Sequence, residues 1–153
     1  MTDDSKPANT PLPASSRPPT GLLASLVAFL ASHGVGYAVT ANGEEVVVGF
    51  EGDAVRYFTF AATPGRLHLF LTLAEPIGAD ETEAGVERLL AGLTQRYPLP
   101  PTYLGLARYE INTQRELGLY FELPMPRSFA PELTDDALWL AYRVLELVDR
   151  DTA

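Results

Sequence analysis

Alternating leucines constrain the fold of this chain most strongly. In the segment RLHLFLTL, Leu67, Leu69, Leu71 and Leu73 stand at every second position, and Phe70 lies among the residues between them. Because successive side chains of a β-strand point to opposite faces, this alternation predicts a strand with one continuous apolar face. The large apolar side chain of Phe70 on the second face favours a central strand over an edge strand.

Turn signals on the N-terminal side of the leucines predict neighbouring strands. Asn42-Gly43 separates two β-rich runs in YAVTANGEEVVVGF, and Asn-Gly is a strong hairpin signal. The run AVRYFTF follows, and Pro64-Gly65 then precedes the leucine strand. We therefore expect consecutive antiparallel strands in this part of the chain.

Two further strands are expected near the C-terminus, at Tyr103–Ile111 and Glu116–Leu123. Pairing Ile111 with Glu116 gathers the leucines of both strands on one face, which is then the core face. Tyrosines among small residues make the other face a candidate contact surface, since tyrosine combines apolar area with a hydroxyl group. The alternative is that a helix covers this second face. It would carry Tyr103, Gly105, Ala107, Tyr109, Gly118 and Tyr120.

The first helix is expected at about Leu22–His33, with Thr20 as its N-cap and Gly34 as its left-handed stop. No charged residue stands between Thr20 and Asn42. A helix on the surface normally turns charged side chains outward, whereas this one has only small alanine and serine residues for that role. Another surface is therefore expected to cover it.

A second helix is expected to begin near Asp80, which forms a capping-box pattern with Glu83. Gly85 and Gly92 are seven residues apart and therefore lie on one side of this helix. Glycine costs about 1 kcal/mol relative to alanine inside a helix. Either another helix approaches this side closely, or the glycines are tolerated at exposed positions.

The third helix, in LTDDALWLAYRVLELVDRD, is expected to start at the N-cap Thr134. Its apolar side chains fill an arc of about 180°, which is wider than packing on one sheet face requires. Trp139 and Tyr142 project from the remaining, mostly charged side. The helix is therefore expected to meet a second surface as well as the sheet. The arc consists of Ala137, Leu138, Leu140, Ala141, Val144, Leu145, Leu147 and Val148.

These elements predict an α+β fold in the order α-β-β-β-β-α-β-β-α. We expect a mostly antiparallel sheet of five to six strands with three flanking helices. Residues 20–150 are expected to form a single domain. Residues 1–19 hold five of the thirteen prolines and almost no large apolar side chain, so we expect a disordered tail there.

Composition narrows the classes of function. The chain has no cysteine, which excludes disulfides, thiolate nucleophiles and cysteine-bound metals and suits a reducing cytoplasm. The net charge of −9 disfavours direct binding to nucleic acid, and the apolar run GLLASLVAFLAS is too short to cross a membrane. A secretory signal in that run is the less favoured interpretation, since the preceding residues are not cationic.

Residues that could carry chemistry are sparse. His33 and His68 are the two histidines, and each has a structural explanation in the predicted elements. No phosphate-binding glycine loop or nucleophile elbow occurs, and the paired carboxylates lie in first helical turns. The sequence therefore predicts no catalytic residues, no metal site and no cofactor, and a protein that is not an enzyme.

The order of elements and the closing segment LTDDALWLAYRVLELVD resemble the YbjN-like proteins, which are similar in fold to the chaperones of type III secretion. The resemblance covers about residues 20–150. It implies a small bacterial homodimer of the cytoplasm that binds another protein and performs no catalysis. In the secretion chaperones, apolar patches on helix 1 and the neighbouring sheet hold an extended client, and helix 2 contributes to dimerisation.

Together these observations predict a chaperone-like or adaptor homodimer that holds a client protein. A basic nucleic-acid-binding protein is one class of client that fits the acidic exterior. The alternatives are a sensory or stress-response module acting by protein contact, and a small-ligand-binding protein or enzyme with a pocket between sheet and helices. The expected dimer contacts are Gly85, Leu89, Gly92 and Arg96. The expected partner contacts are Leu22, Ala24, Ser25, Ala28, Phe29, Ala31, Tyr109, Tyr120, Trp139 and Tyr142.

Overall fold

The computed structural model describes residues 18–99 and 106–152, and these residues have the predicted α+β order. The predicted tail, apart from Pro18 and Pro19, and the start of the strand predicted at Tyr103–Ile111 lie outside the described residues. The elements are α1 (Gly21–Ser32), β1 (Ala38–Val39), β2 (Glu45–Phe50), β3 (Asp53–Thr63), β4 (Arg66–Thr72), α2 (Glu83–Arg96), β5 (Leu106–Ile111), β6 (Leu117–Pro124) and α3 (Pro131–Thr152).

The strands form a six-stranded antiparallel sheet in the order β1-β2-β3-β4-β6-β5. The leucine strand β4 lies between β3 and β6, which confirms its predicted central position. The alternating leucines pair with apolar residues of both neighbours on the same face. For example, Leu69 pairs with Phe60 on one side and Phe121 on the other, and all three are fully buried.

All three helices pack on this leucine-rich face, which we call the core face. Leu23, Leu26 and Leu30 of α1 are buried against β2, β3 and β4. From α3, the predicted arc supplies four buried residues and four half-buried ones, so its apolar side is only partly covered. Tyr97, at the end of α2, joins the same core, and its carbonyl oxygen accepts a 2.7 Å hydrogen bond from the Tyr109 hydroxyl.

The predicted register between β5 and β6 is wrong by one residue. Ile111 pairs with Leu117 rather than Glu116, which turns the side chains of residues 107–111 to the opposite face. Asn112 and Glu116 instead close a three-residue loop, in which Arg115 adopts a left-handed backbone conformation with φ of 62°. Tyr109 therefore lies in the core, whereas Tyr120 stays on the other face.

Two helix starts also differ from the predictions. Helix α2 begins at Glu83, because the Thr82 side chain caps it by accepting a 3.0 Å hydrogen bond from the Gly85 amide. Helix α3 begins at Pro131, one turn before Thr134, since proline is well suited to a first helical position. Thr134 is consequently buried inside the helix, and its hydroxyl donates to the Ala130 carbonyl oxygen at 3.0 Å.

Helix α1 matches its prediction closely. It spans Gly21–Ser32, and Gly34 adopts the left-handed conformation expected of a stop, with φ of 71°. Thr20 has the extended backbone of an N-cap, but its side chain makes no capping hydrogen bond. The first helix therefore ends as predicted and begins with a weaker cap than predicted.

Candidate protein-binding surfaces

The sheet face opposite the helices, which we call the open face, is the first candidate surface. Its residues alternate with the buried ones along β2, β3, β4 and β6, and most of them are half-buried or exposed. Strand pairing aligns them in rows that cross the sheet. The open face consists of Glu45, Val47, Gly49, Tyr57, Thr59, Ala61, His68, Phe70, Thr72, Arg108, Glu110, Gly118, Tyr120 and Glu122.

One row runs across five strands through the middle of the open face. Val47 pairs with Thr59, Thr59 with Phe70, Phe70 with Tyr120, and Tyr120 with Arg108. The Arg108 guanidinium lies over the Tyr120 ring, with its carbon 4.9 Å from the ring centroid, in a cation–π contact. The row places the apolar and aromatic side chains of Val47, Phe70 and Tyr120 on one face, because alternate residues of each strand point to the same side of the sheet.

A polar cluster lies beside that row. The Tyr120 hydroxyl is 2.6 Å from Nδ1 of His68, and the Thr63 hydroxyl is 2.7 Å from Nε2 of the same ring. The Tyr120 hydroxyl also lies 3.3 Å from Oε1 of Glu122. Burial, followed by the negative charge of Glu122, raises the pKa of Tyr120 above its ordinary value. Both ring nitrogens of His68 therefore have hydrogen-bonding partners within the protein.

A second polar cluster lies at the end of the open face near the β5–β6 loop. The Tyr57 hydroxyl is 2.8 Å from Oε1 of Glu116, and the Asn112 amide donates to the same oxygen at 2.7 Å. Burial is the main cause that raises the pKa of Tyr57, and the hydrogen bond to Glu116 adds to it. This cluster anchors the Tyr57 ring on the open face.

An open depression of about 580 Å³ occupies the middle of this face. Its described walls include the Tyr57, Phe70 and Tyr120 rings, together with the carboxylates of Glu45 and Glu110, and Glu110 pairs with Arg108 at 2.6 Å. Aromatic walls and carboxylates favour an apolar ligand that carries positive charge. A smaller neighbouring depression shares two walls with it, and Thr20 contributes to that neighbour.

The exterior of α1 is a separate surface on the opposite side of the sheet. Ala24, Ser25, Ala28 and Ala31 are exposed on this side of the helix, and Leu22 is half-buried. Because α1 packs on the core face, the exposed side of the helix faces away from the open face. The patches predicted on helix 1 and on the sheet are therefore two surfaces, one on each side of the molecule.

Phe29 belongs to α1 but contributes less to its exterior. Its half-buried ring lies 5.5 Å from the Phe129 ring and 4.5 Å from the His33 ring, measured between centroids. The Phe29 carbonyl oxygen is also 2.9 Å from Nδ1 of His33. These contacts hold the end of α1 against the segment that leads into α3.

Trp139 and Tyr142 of α3 differ in their surroundings. Trp139 is 67% exposed, which is high for the largest apolar side chain of the protein. Tyr142 is 45% exposed, and its ring makes edge contacts with Phe50 and Phe58 at centroid distances of 5.9 and 5.6 Å. Burial raises the pKa of Tyr142. Trp139 therefore faces outward, whereas Tyr142 is partly bound to the core.

Among the predicted dimer contacts on α2, Leu89 is 44% exposed, Arg96 is exposed and Gly92 faces open space. Gly85 is different, because it is buried beneath the Glu81 side chain, whose carboxylate occupies the place of a Cβ atom. Local packing at the start of the helix thus accounts for this glycine. The outward side of α2 retains Leu89, Gly92 and Arg96.

Tyr109 cannot serve as an outward partner contact, because it is buried on the core face. The sequence-based prediction also missed the open face on β2, β3 and β4, including Val47, Thr59 and Phe70. The available signal was the set of residues between the alternating apolar ones in each strand. Reading it across strands requires the register, which the single sequence does not provide.

Two features are absent from the described residues: a cluster of potential metal ligands and a helix suited to crossing a membrane. Nowhere in residues 18–99 and 106–152 do three histidine, aspartate or glutamate side chains come together as a potential metal site. In the same residues, no helix combines the length and apolar character that a membrane crossing requires.

Comparison with known proteins adds no relative. No protein-family model matches the chain, and neither curated proteins nor solved structures include a match.

Proposed function

We propose that this protein is a non-catalytic, protein-binding homodimer that holds an extended segment of a client protein on its open face. The observation that carries the proposal is the row from Val47 to Arg108, in which the side chains of Val47, Phe70 and Tyr120 stay half-buried on three of its five strands. A sheet face packed on both sides would bury such side chains. We therefore treat this area as a binding surface.

The shape of the open face favours an extended polypeptide over a compact small molecule. The depression is open and spans several strands, so a bound chain can cross the row and contact several rings. The polar groups of His68, Tyr120 and Glu122 contact one another. They do not converge on an enclosed space, which is the arrangement typical of small-ligand sites.

Charge supports a basic client. The depression carries the exposed Glu45, whereas Glu110 is paired with Arg108, and the whole chain has a net charge of −9. Such a surface attracts cationic segments and speeds their encounter at low ionic strength. A basic nucleic-acid-binding protein is one class of client with these properties. The alternative, in which this protein is a sensory or stress-response module that acts by protein contact, would use the same surface to bind a regulator with a basic contact segment.

The homodimer is part of the same proposal, and the outward side of α2 is its candidate contact. Leu89, Gly92 and Arg96 recur at helical spacing on one side of α2. The exposed leucine supplies apolar area, and the glycine allows close approach of a second backbone. The exterior of α1 then remains as a second contact surface for the client.

Selection of random peptides displayed on phage tests the proposed function even though the client is unidentified. We expect basic peptides that bind the wild-type protein and lose about tenfold in affinity, or about 1.4 kcal/mol, on the Thr59→Arg variant. Thr59 lies in the middle of the row, so an arginine there blocks the surface and repels cationic peptides.

Thr94→Arg provides the matched control, since Thr94 is exposed on α2. The selected peptides should bind this variant as tightly as the wild type. Peptides that bind both arginine variants equally, or a selection that yields no binder, would contradict the open face as the surface that binds a client.

A further inference from the structure

We propose that the proline-rich N-terminal segment of this chain, residues 7–19, binds the open face and occupies the client site until a client displaces it. The inference rests on the proposed function, since both place an extended segment on the same surface. Four observations carry it: where the described chain begins, what lines the open face, how far the segment reaches and which charges it carries.

The described chain begins beside the open face. Thr20 lines a depression together with Asn42 and Glu44, and Glu45 and Ala61 form walls of both this depression and the larger one. The backbone therefore enters α1 from the β2–β3 side of the face. The residues before Thr20 are tethered at the rim of the proposed site.

The lining of the face suits a proline-rich segment. Proline-rich sequences favour the polyproline II conformation, which docks in grooves lined by aromatic rings at low cost in conformational entropy. Three aromatic rings line the larger depression, those of Tyr57, Phe70 and Tyr120. The segment supplies its prolines at Pro7, Pro11, Pro13, Pro18 and Pro19.

The segment is long enough to cross the sheet. A polyproline II chain rises about 3.1 Å per residue, so a segment of this length spans roughly 40 Å. Neighbouring strands lie about 4.8 Å apart, which places β5 roughly 19 Å from β2. A short tether also gives an effective concentration in the millimolar range. Weak intrinsic affinity is therefore sufficient for the segment to occupy the face.

The charges are complementary where the segment joins the described chain. Arg17 stands three residues before Thr20, which places it within reach of Glu44 and Glu45. At the far side of the face, Glu110 already pairs with Arg108, whose Nε lies 2.6 Å from a carboxylate oxygen of Glu110. Charge therefore favours the segment at the Thr20 end of the face, and the aromatic rings favour it further along.

A spin label tests the inference in the full chain. Because the sequence has no cysteine, Ser15→Cys gives a single site for a nitroxide label. We expect the label to reduce amide signals of Phe70 and Tyr120 to less than half of their intensity relative to a diamagnetic label. The loss should disappear when Thr59→Arg is added and persist when Thr94→Arg is added instead.

Two results would overturn the inference. One is full intensity at Phe70 and Tyr120 with losses confined to residues near Thr20, because the segment then does not cross the face. The other is a loss that Thr59→Arg leaves unchanged. Either result leaves the peptide selection to decide the proposed function, since selected peptides can still bind the face. Conversely, a bound segment without any selected peptide supports self-occupancy and counts against a client.

Discussion

At the scale of single residues, Gly118 shows how the open face limits which side chains the sheet accepts. A Cβ atom at this position would collide with the Phe70 ring and the Leu71 carbonyl oxygen, because the ring of the neighbouring strand lies over the glycine. The absence of a side chain thus lets the Phe70 ring occupy the space over Gly118. Gly118 and Phe70 together shape the middle of the proposed binding surface.

Gly118→Ala is expected to lower the free energy of unfolding by about 1–3 kcal/mol, the usual cost of forcing extra volume into a packed site. Gly49→Ala is the matched control, since Gly49 also lies in a strand on the open face but has open space where a Cβ would stand. That change should cost less than about 0.5 kcal/mol. Urea unfolding measures both values, and equal costs would contradict the described contact.

Tyr109→Phe tests the corrected register of β5. The substitution removes the hydrogen bond to the Tyr97 carbonyl oxygen and should cost about 0.5–1.5 kcal/mol at pH 7. Burial raises the pKa of Tyr109 above its ordinary value of 10.0, so the folded state favours the neutral phenol. The stabilisation is therefore complete below pH 10 and is lost as the pH rises further.

Urea unfolding between pH 8 and about pH 11 provides the measurement, since the ordinary pKa of tyrosine lies inside this range. The wild-type protein should lose more stability over this range than the Tyr109→Phe variant, which lacks the buried phenol. Equal losses in the two proteins would mean that Tyr109 is exposed in both states.

The residue scale also marks a limit of prediction from the sequence. The alternation in RLHLFLTL sufficed to assign Leu69 to the core and Phe70 to the other face. It could not reveal that Phe70 lies over Gly118, because that contact depends on the pairing of two strands distant in the chain. The face on which Tyr109 lies depends on whether the β5–β6 loop has three or four residues. The sequence is nearly equally compatible with both loop lengths, so it could not assign Tyr109 to the correct face.

At the scale of elements, the candidate binding surfaces lie on opposite sides of the sheet. The open face lies on one side of the sheet, and the helices with their uncovered exteriors lie on the other. The order of helices and strands was predictable because periodicity and turn residues are local signals. The starts of the helices were harder to predict, because residues near Thr82 and Pro131 are equally well suited to the first positions of a helix. The separation itself followed only from the packing of α1 on the core face.

Leu89→Glu tests whether the outward side of α2 forms the dimer. We expect the wild-type protein to scatter light with about twice the 16.6 kDa mass of one chain, and the variant to scatter as a monomer. Burying a charge at an apolar contact is costly, so a single substitution should suffice. Gln95→Glu introduces the same charge elsewhere on α2 and should leave the dimer intact.

A wild-type mass of one chain at micromolar concentration would refute dimerisation outright. Dissociation by Gln95→Glu as well as Leu89→Glu would move the contact away from Leu89 and point to general charge repulsion.

At the scale of the whole molecule, acidity and uncovered area act together. In the proposed function, the net charge of −9 attracts basic partners, and the open face then supplies apolar contacts. The first property is a matter of composition and was evident in the sequence. The uncovered area of the open face depends on the packing of all three helices on the other side of the sheet, which no local sequence pattern specifies.

Salt should weaken the binding of a basic selected peptide, because ions screen attraction between exposed charges. We expect the dissociation constant to rise several-fold between low and physiological ionic strength, with a smaller rise for the Glu45→Gln variant. Titration calorimetry at several salt concentrations provides the measurement. An affinity that does not change with salt would mean that charge has no part in client choice.

Site-specific photo-crosslinking in cells tests the central claim most directly. A photoreactive benzoylphenylalanine replaces Thr59 in the middle of the open face or, as the control, Thr94 on α2. We predict a recurrent adduct between position 59 and a basic segment of a second protein, and little adduct at position 94. Equal yields at both positions, or no adduct to any second protein at position 59, would contradict the open face as the place where this protein binds its client.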